Sequence, residues 1–196
     1  MWGIIIRLSR KNGYPLDALS LLKKYFAGNR NAFEIVLEHS TMVTEKAVAI
    51  ARDFSNPSID LRLVEEAALL HDIGVSRTNS PRIGCHGASP YICHGILGRE
   101  ILESEGFPFH ALVCERHIGV GIGVKDIVQQ QLPLPKRDMI PITLEEKIVC
   151  FADLFYSKRP GMLRTEKSPD DIRTGLRKHG VHKVAIFETW FKEFLG

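Results

Sequence analysis

Apolar positions recur along this chain at spacings of three and four residues, not two, so the elements they predict are helices. Leu16 to Ala27 reads as a short amphipathic helix stopped by Gly28-Asn29. Ala32 to Phe54 reads as a long one, with Val36, Val43, Ala47 and Ile50 at helical spacing, broken by Asn56-Pro57-Ser58. Asp60 is placed to cap a third helix from Leu61 to His71. Ile73 to Pro90 holds Gly, Ser, Asn and Pro and predicts a loop. Ser89-Pro90 has the pattern of an N-cap followed by a first-turn proline and predicts a helix to about Glu105; another runs from Pro108 to His117. Gly119 to Pro141 is the least regular stretch, with room for a short helix around Lys125 to Gln130, and long connections of this kind often wall a site. Thr143-Leu144-Glu145-Glu146 reads as a capping box opening a helix to about Tyr156. Ser168-Pro169-Asp170-Asp171 opens a short helix that stops at Gly180. Val181 to Leu195 forms the last, with Val184, Phe187, Phe191 and Phe194 or Leu195 as its apolar stripe. No repeat, low-complexity run or linker interrupts this order. The expectation is an all-α, single-domain helical bundle over residues 16–196, with 1–15 as an N-terminal tail or short extended segment.

Length and composition narrow the picture. A chain of 196 residues supports one domain with a real core. With 44% hydrophobic and 25% charged residues it reads as a soluble globular protein. The net charge of +3, from 26 basic and 23 acidic residues, is too mild to favour a nucleic-acid polymer as partner. The opening Met1-Trp2-Gly3-Ile4-Ile5-Ile6-Arg7 is apolar but too short to span a bilayer, and it lacks a basic leader and a cleavage site. No membrane partner is therefore expected. Cys85, Cys93, Cys114 and Cys150 form no C-x-x-C pair, which argues against a structural zinc site and fits a reduced, cytoplasmic setting. The apolar last helix suits packing either on the domain or on a second copy in a homodimer.

The chemistry-bearing residues change the picture most. His71-Asp72 ends an apolar run at a glycine turn, where an imidazole nitrogen and a carboxylate oxygen can grip one divalent ion. His39, His94, His117 and Asp153 occupy matching helical settings. His39, His71, Asp72 and Asp153, drawn from three helices, can converge on one metal in a bundle core. His94 and His117 can complete a second, with Asp72 bridging. Two such ions activate a shared water and absorb charge on phosphoryl oxygens. The donor set suits Fe, Mn, Zn, Co or Ni more than magnesium alone. His86, His110, His179 and His182 lack this context and read as structural or exposed.

In this order the residues resemble the HD superfamily of metal-dependent phosphohydrolases. His71-Asp72-Ile73-Gly74 matches its HDIG subgroup letter for letter. Ala67-Ala68-Leu69-Leu70, His94-Gly95-Ile96-Leu97-Gly98 and the segment Leu144 to Asp153 add to the likeness, which covers roughly Glu34 to Arg159. Within the superfamily the chain is similar to small uncharacterised HDIG proteins of archaea and bacteria, and to YqeK-type dinucleoside tetraphosphate hydrolases. The resemblance implies a helical fold, a metal site made by His39, His71, Asp72 and Asp153, and a two-metal branch through His94 and His117.

The resulting expectation is a metal-dependent phosphohydrolase cleaving a phosphate ester or anhydride of a nucleotide or dinucleotide, with Asp72 as the catalytic carboxylate. Arg77 and Lys147 are the candidates for binding substrate phosphate, with Arg116, Lys158 and Arg159 ranked behind them. Two alternatives share the same residues: a di-iron oxygenase of HD type, and a non-catalytic nucleotide-binding regulator.

Overall fold

The computed structural model describes residues 10–11, 14–54 and 56–196. Most of the tail expected over 1–15 lies outside the described residues; within it Arg10–Lys11 (β1) pairs antiparallel with Tyr14–Pro15 (β2). The first helices are α1 (Ala18–Tyr25), α2 (Arg30–Asp53) and α3 (Leu61–Leu70). Each starts where a short polar side chain accepts a backbone N–H of the first turn: Asp17 from Ser20, Asn29 from Ala32, Asp60 from Leu63.

Residues 73–93 are more ordered than a loop. A 3₁₀ turn over Ile73–Arg77 leads into a small sheet of β3 (Thr78–Ser80), β4 (Cys85–His86) and β5 (Ser89–Pro90), in the order β4-β3-β5. Ser89-Pro90 therefore does not start a helix. It pairs parallel with Thr78 and Asn79, a 3₁₀ turn follows at Tyr91–Cys93, and α4 (His94–Ser104) begins only at His94. A proline without an N–H suits the edge of a sheet as well as a first helical turn.

Next come α5 (Pro108–Arg116), α6 (Val124–Gln129), α7 (Leu144–Asp153), α8 (Pro169–Arg177) and α9 (Val181–Leu195). Ser168 and Asp171 form the full reciprocal capping box of α8. Thr143 forms only half of one: its hydroxyl accepts the Glu146 N–H, but the Glu146 carboxylate turns to the Ile142 N–H and to Arg116 on α5.

Two apolar cores meet along α2. The first gathers Val43, Ala47 and Ile50 with Val64, Phe151, Phe155, Phe187, Trp190 and Phe194. The second gathers Ala32 and Val36 with Leu22, Leu70, Ile73, Ile101 and Leu102. The last helix packs on its own domain, with Phe187 stacked on Phe151 at 5.6 Å between ring centroids. Its buried face includes Trp190, while Leu195 stays exposed. Among the described residues no helix is long and apolar enough to cross a membrane.

A candidate metal centre at converging helix ends

His39 lies on α2 between Val36 of one core and Val43 of the other. The remaining residues of the set sit at helix ends. His71 caps the C-terminus of α3 with Asp72 next to it, His94 opens α4, His117 caps the C-terminus of α5, and Asp153 is the last residue of α7. Three imidazoles use carbonyls on the turn before them. Nδ1 of His71 donates to Ala68 O at 2.6 Å, Nδ1 of His94 to Tyr91 O at 2.7 Å, and Nδ1 of His117 to Cys114 O at 2.7 Å. A carbonyl can only accept, so the proton of each neutral ring is on Nδ1 and the Nε2 lone pair points inward.

The inward atoms form two groups on either side of one carboxylate. His39 Nε2 lies 3.0 Å from Asp153 Oδ1, 3.3 Å from Asp72 Oδ2 and 3.3 Å from His71 Nε2. His71 Nε2 lies 3.0 Å from Asp72 Oδ2 and 3.5 Å from Asp153 Oδ1. On the other side His94 Nε2 and His117 Nε2 are 3.0 Å apart, and 3.5 and 3.7 Å from Asp72 Oδ1. Asp72 thus turns one oxygen to each group. Both of its oxygens are buried; among the described residues Oδ1 accepts no hydrogen bond, while Oδ2 is in ion-pair contact with Lys158. Two neutral imidazoles cannot hold lone pairs at 3.0 Å without a cation or proton between them. The nitrogen and oxygen donors present fit divalent cations, and subsets such as His39, His71, Asp153 and His71, Asp72, His117 are spaced to hold one.

Charge is concentrated here. Burial disfavours the protonated His71 ring, but the Asp72 and Asp153 carboxylates outweigh it and push its pKa up to about 10. Burial and the neighbouring His71 and His94 push His117 down to about 3. Against burial, the surrounding cationic groups hold Asp72 and Asp153 well below the ordinary carboxylate range. Asp153 has the one side chain of the set with appreciable access, 17% exposed against 5% or less for the others, so the centre opens on its side.

Glycines permit the convergence. A Cβ on Gly74 would fall 2.0 Å from the His94 carbonyl and 2.4 Å from Gly98 N; one on Gly98 would fall 2.1 Å from the Cys114 sulfur. The turn after Asp72, α4 and α5 can approach this closely only without those side chains. The cysteines support the backbone. Cys114 Sγ donates to His71 O at 2.8 Å and Cys150 Sγ to His117 O at 3.2 Å. Burial raises both thiol pKa values, which keeps them protonated as donors. All four cysteines are free.

The structure brings His39, His71, Asp72, His94, His117 and Asp153 together but not the expected phosphate-binding pair. Arg77 leaves the 3₁₀ turn toward Glu100, 3.7 Å away, and toward the Tyr25 ring. Chain adjacency to Asp72 does not place it at the centre, because the turn rotates it outward. Lys147 precedes Asp153 by six residues, about 240° around α7 at ~100° per residue, so it stands on another face. The cation at the centre is Lys158, with Nζ 2.6 Å from Asp72 Oδ2 and its side chain 14% exposed. It lies beyond the end of α7, where no periodicity marks it. His110 is structural: its Nε2 meets Glu66 Oε2 at 3.0 Å and ties α5 to α3.

Comparison with known proteins agrees with this arrangement. The family model described as HD domain matches residues 36–157. The chain is 44% identical over 147 residues to the uncharacterized protein MJ0778 of Methanocaldococcus jannaschii, covering 72% of this chain and 76% of that one. It is 31% identical to a tRNA (cytidine(56)-2'-O)-methyltransferase of Thermoplasma volcanium, covering 91% of this chain and 46% of that one. A protein of the same description from Picrophilus torridus is 36% identical over 66% of this chain and 33% of its own length. The chain thus spans less than half of either methyltransferase. No solved structure matches. With the family model covering more than half of the chain and its inward-facing histidines and aspartates at one centre, the protein belongs to the HD domain family.

Proposed function

We propose that the protein is a metal-dependent phosphohydrolase of the HDIG subgroup, acting on a phosphate ester or anhydride of a nucleotide or dinucleotide. The observation that carries this reading is the pair of inward Nε2 atoms, His94 and His117, 3.0 Å apart across from Asp72 Oδ1, a buried oxygen that accepts no hydrogen bond among the described residues. Divalent ions such as Fe, Mn, Zn, Co or Ni, held by the six residues, would supply an activated water and charge neutralisation at a phosphoryl group. Asp72 orients the centre by offering one oxygen to each half, which makes it the residue on which turnover depends most. Asp153 marks the open side, where the phosphate enters. Lys158, cationic and partly accessible beside Asp72, takes the phosphate-binding role expected of Arg77 and Lys147. The tRNA-directed names of two relatives favour nucleotides among phosphorylated compounds. Four buried free thiols suit a reducing, cytoplasmic setting.

The test is phosphate release from nucleotides and dinucleoside polyphosphates by protein reconstituted with each metal in turn. Release from at least one of them, abolished by Asp72→Ala, supports the proposal. Oxygen consumption by the iron-loaded protein without phosphate release would replace it with an oxygenase. Stabilisation by a nucleotide with no turnover under any metal would replace it with a binding regulator.

A further inference from the structure

Beside the centre lies a cavity of about 560 Å³ that the six metal-site residues do not line. Its walls adjoin them in the chain: Ile118 follows His117, Leu154 follows Asp153, and Ile92 precedes His94 by two residues. The opposite wall is one face of α8, where Asp171, Ile172, Gly175 and Leu176 recur at helical spacing, with His179 in the turn just after it. The interior is aliphatic. The charged groups that reach it are engaged: Lys183 Nζ lies 2.5 Å from Asp126 Oδ2, and Lys167 Nζ donates to Leu154 O at 3.0 Å and Tyr156 O at 2.8 Å. Gln130, Asp171 and His179, all exposed, stand at the rim.

Gly175 is the second observation. It sits inside a nine-residue helix, where glycine is a poor choice, yet its φ is ordinary and a Cβ there would meet nothing within 4 Å. Nothing in the fold requires the missing side chain. Gly175 is itself exposed, so the missing side chain leaves the mouth of the cavity open.

We infer that this cavity is the base subsite of the centre: it takes the nucleobase of a nucleotide whose phosphate lies at the metal site. A base has flat apolar faces for the aliphatic walls and polar edges for the rim, and the volume is that of a small-molecule site. An alkyl chain would have no use for the polar rim. The inference rests on the phosphohydrolase reading for the phosphate end only.

Gly175→Leu places a side chain across the cavity mouth from a helix position that accepts one, and nucleoside 5′-monophosphate against ribose 5-phosphate isolates the base. The wild type is expected to favour the nucleotide at least tenfold in kcat/KM. In Gly175→Leu the nucleotide KM should rise about tenfold and that preference fall towards one. Equal preference in the wild type, or an undiminished preference in a folded Gly175→Leu, overturns the inference, as does a stronger preference for an alkyl phosphate. Nucleoside binding by calorimetry separates the two readings. A nucleoside that binds the wild type and not Gly175→Leu, with no phosphate released from any compound, upholds the subsite and removes the hydrolase. Phosphate release with no nucleoside binding and no base preference does the reverse. Gly175→Ala, a smaller change, serves as the folded control.

Discussion

The candidate ligand atoms of the histidines are set by hydrogen bonds one turn away. Because His71, His94 and His117 each donate Nδ1–H to a carbonyl three residues earlier, their Nε2 atoms have no alternative to facing the centre. Asp72 is then the residue on which both halves depend. Asp72→Ala should lose all measurable phosphate release while far-UV circular dichroism shows nearly unchanged helix content; full turnover in this variant would remove the site. The two cations differ as sharply. Lys158→Ala should lower kcat/KM by about two orders of magnitude, on the scale of one lost charged contact to a reacting phosphoryl group. Arg77→Ala should stay within about twofold, because Arg77 faces Glu100; the reverse ranking would restore Arg77. The six inward residues were legible because motif order and helical setting mark them. Lys158 was ranked only behind Arg77 and Lys147, because it follows α7 in a stretch without period, and Arg77 misled because nearness in sequence says nothing about the direction a 3₁₀ turn takes.

At the scale of elements, caps and close approaches decide what forms. Asp60 and Ser168 were readable as helix starts because their side chains bond to the third residue on. Ser89-Pro90 was not, since its pairing with β3 depends on residues eleven positions earlier. Thr143 and Glu146 matched the letters of a capping box, yet Glu146 is drawn away by Arg116 on another helix. Two glycines should respond in opposite senses. Gly74→Ala drives a methyl into the His94 carbonyl, should cost about 2–3 kcal/mol by denaturant unfolding, and should weaken metal retention. Gly175→Ala meets nothing and should stabilise by about 0.5–1 kcal/mol, a rise of a few degrees in Tm. Gly74→Ala unfolding like the wild type would mean that the turn and α4 are not in contact.

For the whole molecule, the centre sits where two apolar cores join at α2, so the bundle and the site are built by the same packing. The last helix was expected in outline, but its stripe was incompletely read: Trp190 and Lys183 are buried with Phe187 and Phe194. Lys183 is buried because Asp126 awaits it, a contact between distant segments that no local pattern announces. Burial alone would raise the Asp126 pKa; Lys183 and the Gly123 N–H overcome that and hold it below the ordinary 3.8. A depressed carboxylate pKa stabilises the fold above the unfolded value and loses that contribution as pH falls through the folded one. Asp126→Asn should therefore cost about 3 kcal/mol near pH 7 by leaving a buried ammonium unpaired. The gap to the wild type should close below about pH 4 as the wild-type carboxylate protonates. A gap of constant size across that range would show that the pair does not act through charge.

The central claim is that His39, His71, Asp72, His94, His117 and Asp153 hold divalent metal. Elemental analysis of the protein after metal loading and desalting tests it most directly, with Asp72→Ala and His117→Ala alongside. Two equivalents per wild-type chain, one in His117→Ala and none in Asp72→Ala are the results predicted. A wild-type chain that retains no metal, or an Asp72→Ala chain that retains as much as the wild type, would contradict the account.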